Sequence, residues 1–336
     1  MNDSKTRNGN IELLRCVLMF LIVLWHCSMC CERVDARVAK LIACLPIFAV
    51  DAFIFISGWY GMSFSVKKVI RLLGLGLFSA CVIAVSSCVL SPQSSFLYSL
   101  GWFGGAYLGL MVLSPLINEG LDKLMKTEGA VVFWLAYLIV VLVSWLPLDA
   151  LGFSLSVPGF GGMTLNTMMF VYITGRLMRK KHWFSGWGWS TWLVVFAVLE
   201  CVNVAFGILS GLTRDSYGLN LLFAKWRVND SPLAIAMAVA FFMMFMKAKD
   251  CGALGRVASY LAPSMFSIYL LHCGTNFDLT RVWIGSHLFP DKVDGLIMGI
   301  CTIVQAAVAT FSICLVVDLL RRSLLHLISH VKSGKE

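Results

Sequence analysis

Apolar runs long enough to cross a lipid bilayer recur along this 336-residue chain. A helix needs about 20 such residues to span the hydrocarbon core. Lipid offers the backbone no hydrogen-bonding partner, so such a segment must satisfy its own N–H and C=O groups as a helix. Hydrophobic residues make up 59% of the chain and charged residues 13%, well below the charged share of a soluble domain. The expectation is an all-α, polytopic membrane protein: a single transmembrane domain over 1–336 with no separate soluble domain. About ten transmembrane helices fit, near 11–29, 44–63, 69–90, 100–117, 130–148, 160–178, 188–211, 231–247, 256–273 and 296–319.

The charge distribution sets an orientation. With the N-terminus in the cytoplasm, 18 Lys and Arg fall in cytoplasmic segments, 8 in external ones, and Arg15 in the membrane. Lys67, Lys68, Arg71, Arg176, Arg179, Lys180 and Lys181 are among the cytoplasmic set. The asymmetry follows the positive-inside rule and makes both termini cytoplasmic. It also accounts for the net charge of +9 without nucleic acid as a partner. The expected location is the cytoplasmic membrane, crossed many times.

The twelve cysteines lie mostly in apolar segments and have no metal-ligand spacing, so no metal is expected. Cys27, Cys30 and Cys31 cluster at the end of the first helix and read best as small apolar filler. Lys5 and Arg7 precede an apolar run, as in a signal peptide. That run contains Arg15 and His26 and lacks a small-x-small cleavage site, so it reads as a retained helix. No internal repeat of the kind that marks secondary transporters is visible.

Arg15 and His26 are the residues with most to say about chemistry. Eleven steps of about 100° bring them to within about 20° of one direction, about 16 Å apart along the axis. Ionisable groups inside a membrane helix are costly and functional by default. An imidazole can take a proton from an alcohol near neutral pH. A guanidinium can hold a phosphate or a thioester-linked carrier. The structural alternative is a snorkelling Arg, paired with Glu12 three residues earlier, and a packed His.

Other polar groups carry two readings each. Lys67, Lys68 and Arg71 could bind nucleotide phosphates or anchor the third helix on the positive side. Asp51, with Pro46 near the first turn of its helix, could orient His26 or face water. Glu200, in the middle of the seventh helix, could contact substrate, relay protons or sit neutral. Trp102 lies among Gly101, Gly104, Gly105 and Gly109, whose small size suits close packing or room for a slender ligand. Trp102 and Glu200 are the candidates for substrate contact. His272 reads as an interfacial histidine. The stretch near 212–230, with Arg214, Asp215, Tyr217, Asn220, Lys225, Trp226, Arg227, Asn229 and Asp230, could stack on sugar rings or form an interfacial aromatic belt.

Taken in order, these segments resemble the acyltransferase family 3 membrane enzymes, which O-acylate surface polysaccharides and related glycans. Ile11-Glu12-Leu13-Leu14-Arg15 through His26 is similar to that family's Arg/Lys-x10-His element. Phe53-Ile54-Phe55-Ile56-Ser57-Gly58-Trp59 resembles its Phe-Phe-x-x-Ser-Gly-Tyr/Phe stretch. Lys68-Val69-Ile70-Arg71 resembles its Arg-x-x-Arg element, with a lysine in the first position. Trp102-Phe103 followed by Leu113-Ser114-Pro115-Leu116-Ile117-Asn118, then Met169-Phe170-Val171-Tyr172-Ile173-Thr174-Gly175-Arg176, then Ser267-Ile268-Tyr269-Leu270-Leu271-His272, fit the same pattern.

The resemblance implies ten core helices, an acyl-CoA donor in the cytoplasm and an acceptor hydroxyl outside. On that footing Arg15, Lys68 and Arg71 would hold the donor, acetyl-CoA in the simplest case. His26, oriented by Asp51, would act as general base toward a polysaccharide or lipid-linked glycan, or would carry the acyl group transiently. Two other functions fit the residues: a transporter or flippase of a lipid-linked glycan, and a non-catalytic scaffold of a glycan-assembly complex.

Overall fold

The structure is a computed structural model that describes residues 8–30, 34–90, 101–145, 164–213, 215–229, 231–273, 293 and 295–333. Lys5, Arg7, Cys31, Arg33, Arg214, Asp230, Arg281, Lys292 and Lys335, used above for charge or clustering, lie outside the described residues.

The helices are α1 (Gly9–Cys30), α2 (Ala36–Cys44), α3 (Ala49–Tyr60), α4 (Val66–Leu90), α5 (Gly101–Leu124), α6 (Gly129–Trp145) and α7 (Leu165–Lys180). They continue with α8 (Trp189–Leu212), α9 (Tyr217–Lys225), α10 (Pro232–Lys247), α11 (Ala253–Leu261), α12 (Met265–Cys273) and α13 (Leu296–Ser333). No strand occurs among the described residues; one isolated bridge joins Val34 to Val293. Five described segments are long and apolar enough to cross a membrane: Gly9–Met29, Ala36–Tyr60, Val66–Ser86, Trp189–Leu212 and Leu296–His330. Gly129–Val143 and Pro232–Lys247 are shorter apolar helices.

Two of the expected runs are broken at a proline, the stretch expected as a loop near 212–230 contains α9, and the last helix runs on to Ser333. The run expected near 44–63 is split into α2 and α3 by a turn that holds Pro46, which lacks an N–H and disfavours helix in the residue before it. The run expected near 256–273 is broken by a 3-10 turn at Ala262–Ser264, where Pro263 sits. Helix α5 behaves differently and continues through Pro115. That proline frees the carbonyl of Met111, and Ser114 Oγ donates to it at 2.8 Å.

The chain forms two compact units. Unit 1 contains Met1–Ala43, Arg71–Gly101 and Gly252–Glu336, and unit 2 contains Cys44–Ile70 and Trp102–Cys251. In unit 1, α1 packs on α11, α12 and α13, and α12 packs on α13. Phe20 meets Phe311 edge-on at 5.9 Å, and Cys27 Sγ lies 3.8 Å from Thr310 Oγ1, so α1 meets α13 around the adjacent Thr310 and Phe311.

In unit 2, α3 is held between α7 and α10. Two glycines face each other across the α3–α7 contact. A Cβ on Gly58 would collide with the Tyr172 carbonyl, and one on Gly175 would stand 2.8 Å from the Phe55 carbonyl oxygen. Small residues here let two backbones touch. Phe55 and Trp59 pack on Phe242 of α10 at 5.0 and 5.1 Å. Helix α3 ends on Gly61, whose φ of 79° and N–H bonds to Ser57 and Gly58 carbonyls make a glycine C-cap. The next residue is pinned on both sides. Tyr172 Oη accepts from the Met62 N–H and donates to Asn118 Oδ1, each at 2.9 Å, while Asn118 Nδ2 donates to the Met62 carbonyl at 2.9 Å. Side chains of α5 and α7 thus fix the turn that launches α4 and its basic residues.

Candidate active site

Helix α1 carries Arg15 and His26, both half-buried, in unit 1. Around His26 the structure places a partner that sequence reasoning assigned no role. His272, on α12, is only 3% exposed. Its Nδ1 lies 2.6 Å from the carbonyl oxygen of Ile268, one turn back. Its Nε2 lies 3.1 Å from Nδ1 of His26, which is also 3.0 Å from the carbonyl oxygen of Ile22.

These contacts fix the protons. A carbonyl oxygen only accepts, so Nδ1 of His272 carries a hydrogen. In the neutral ring, Nε2 of His272 is then an acceptor, and Nδ1 of His26 must be the donor that faces it. Neutral His26 therefore bears its basic lone pair on Nε2. The network makes this assignment. Trp25 meets the His26 ring edge-on at 4.8 Å, and Tyr269 meets His272 at 6.1 Å, so aromatic walls flank both imidazoles.

Arg15 forms an ion pair with Glu12 but no hydrogen bond to it. The nearest oxygen of Glu12 is 4.0 Å from Nε, beyond hydrogen-bonding range. That Nε is buried without a hydrogen-bond partner, so the guanidinium keeps donor capacity for an anion. Cys16 beside it reaches the Ala258 carbonyl of α11 at 3.8 Å, which seats this turn of α1 against α11.

The other predicted residues are distributed as follows. Arg71 is exposed on α4 in unit 1. Lys68 is exposed one turn earlier on the same helix face, in unit 2, where its Nζ donates to the Ser63 carbonyl at 3.0 Å. Asp51 is 6% exposed in the first turn of α3 in unit 2. Trp102 is 42% exposed at the start of α5 and meets Phe103 edge-on at 5.8 Å. Glu200 is half-buried in the middle of α8, with Asn203 Nδ2 at 3.4 Å from its Oε1. Among these residues, Arg15 and His26 share one helix, and Lys68 and Arg71 share another. The group that meets Nδ1 of His26 is His272. In the sequence it closes Ser267-Ile268-Tyr269-Leu270-Leu271-His272 and read there as an interfacial histidine.

A helical membrane protein with two imidazoles in contact, and a guanidinium on the helix of one of them, has the parts for group transfer. The family model described as an acyltransferase domain matches residues 8–319. The chain belongs to that family, and it is a membrane acyltransferase. No curated protein and no solved structure matches it.

Proposed function

We propose that this protein moves an acyl group, acetyl by our reading, from cytoplasmic acyl-CoA to a hydroxyl of a polysaccharide or lipid-linked glycan outside the cell. In this reading the chain crosses the cytoplasmic membrane ten times, with both termini inside. Arg15, Arg71 and Lys68 attract the donor's phosphates and hold its pantetheine arm. The single observation that supports this most is the Nδ1–H form of His26 imposed by His272 and Ile22.

The chemistry follows from that tautomer. Nε2 of His26 takes the proton of the acceptor hydroxyl as its oxygen attacks the thioester carbonyl. A C–O bond forms, the C–S bond breaks, and the thiolate of CoA leaves with the proton returned by His26. His26 becomes an imidazolium during the step. Nε2 of His272 faces the hydrogen on Nδ1 throughout and so stabilises that charge. Attack by His26 Nε2 itself on the thioester, with an acyl-imidazole between two transfers, uses the same lone pair.

The test is transfer of labelled acetyl from acetyl-CoA to glycan in membrane vesicles. His26→Ala is expected to abolish it while leaving the protein inserted. Glycan movement without any need for acyl-CoA would favour a flippase. Unchanged function after substitution of both Arg15 and His26 would favour a scaffold.

A further inference from the structure

A cavity of about 640 Å³ opens between α5, α6 and α7, all in unit 2. Gly120 and Leu124 of α5, Ala136 and Val140 of α6, and Met169 and Ile173 of α7 line it. The members of each pair are four residues apart, so each helix turns one face to the cavity. Helix α6 packs on α7. Helix α5 is tied to α7 by side chains: Tyr172 Oη donates to Asn118 Oδ1 at 2.9 Å, Lys180 pairs with Asp122, and Leu165 packs against Gly109. These ties hold α5 alongside α7 without filling the space between them.

Gly120 gives the cavity its room. Among the described residues, no atom lies within 4 Å of where its Cβ would stand, so close packing does not call for a glycine there. Glycine is also a poor helix former, and this one lies within α5. The wall is apolar nearly throughout. The hydroxyl of Tyr137, which also lines the cavity, is spent on the Asn166 carbonyl at 2.9 Å. A polar ligand would find little to bond here, whereas an alkyl chain would lie against apolar surface on three sides.

The charges at one end say which alkyl chain. Helices α5 and α7 finish together, at Leu124 and Lys180. Lys180 stands seven residues beyond Ile173, on the same face of α7. Its ammonium has three donors, so the pair with Asp122 leaves it able to meet a phosphate as well. Lys126 and Lys181 lie just past the two helix ends, while Lys123 is taken up by Glu119. We propose that the cavity holds an acyl chain of a membrane phospholipid whose phosphate is met by Lys180. The recess left by Gly120 and Ala136 suits one such chain better than a helix of a second copy, which is about 10 Å across. This binding does not depend on the acyl-transfer reading.

The test places the full chain in nanodiscs doped with a phosphatidylglycerol that carries a diazirine midway along one acyl chain. After irradiation, mass spectrometry maps the adducts. Leu124 and Met169 should be labelled at least about tenfold more than Leu77 and Val194, apolar residues exposed on α4 and α8. Gly120→Leu and Ala136→Phe, which put a side chain into the cavity, should bring that labelling down to the level of Leu77. Lys180→Gln should lower it in part. Phosphatidylglycerol added to delipidated protein in detergent should raise the melting temperature of the wild type and leave that of Gly120→Leu unchanged, which separates a filled cavity from a damaged fold. Even labelling of all four residues overturns the proposal, as does labelling that neither filling variant lowers, or an equal rise in melting temperature in both proteins. Labelling displaced by palmitoyl-CoA but not by unlabelled phosphatidylglycerol would give the cavity to a donor's chain, and labelling only in nanodiscs holding one copy would give it to a second copy; either overturns the proposal.

Discussion

Nε2 of His272 and Nδ1 of His26 stand 3.1 Å apart across 246 residues of sequence. Because His272 spends its own Nδ1 hydrogen on the Ile268 carbonyl, it can only accept from His26. The contact therefore selects one tautomer of His26.

That selection predicts a graded response at position 272. His272→Ala should lower kcat for acetyl transfer by about 100-fold, the scale of a mis-set general base, with little change in KM for acetyl-CoA. His272→Gln, whose amide oxygen can accept from the same Nδ1 hydrogen, should recover part of the loss. Steady-state kinetics in proteoliposomes read both. A purely structural role would give equal losses in the two variants and a matching fall in thermal stability.

Arg15 should act on the donor. Its buried Nε is unbonded and Glu12 lies 4.0 Å away. Arg15→Gln is expected to raise KM for acetyl-CoA about tenfold, and Arg15→Lys should restore only part, since an ammonium lacks the planar fork. Titrating the donor at fixed acceptor separates this from a loss of kcat.

Lys68 and Arg71 should show an electrostatic signature. Both are exposed on α4, so their pull on a phosphate is screened by salt. Arg71→Gln should raise KM for acetyl-CoA at low salt and change it little at about 0.5 M salt, where the Debye length is only a few Å. Lys68→Arg should be neutral or improve donor binding. The same titration at two ionic strengths checks this.

The α3–α7 contact makes a stability prediction independent of mechanism. Gly175→Ala would bring a methyl to within 2.8 Å of the Phe55 carbonyl. Overpacking of this kind costs about 1–3 kcal/mol, so thermal unfolding in detergent should come earlier by several degrees. Gly105→Ala, where nothing lies within 4 Å of the added Cβ, is the control and should melt like the wild type.

The helical, membrane-spanning character was legible because hydropathy decides which segments can enter lipid. Arg15 and His26 stood out because a charge in such a segment has no cheap structural reason to be there. His272 was not legible. A histidine at a helix end looks interfacial until a second helix is placed against it, and 246 residues separate the two rings. The break at Pro46 was read as a helix start, where its missing N–H is harmless. The preceding apolar residues form a helix of their own, so the proline ended up between two helices.

The most direct measurement of the central claim follows labelled acetyl from acetyl-CoA to glycan in vesicles carrying wild-type protein, His26→Ala or His272→Gln. The account predicts transfer by the wild type, none by His26→Ala and reduced transfer by His272→Gln, all three equally inserted. Undiminished transfer by His26→Ala would contradict it.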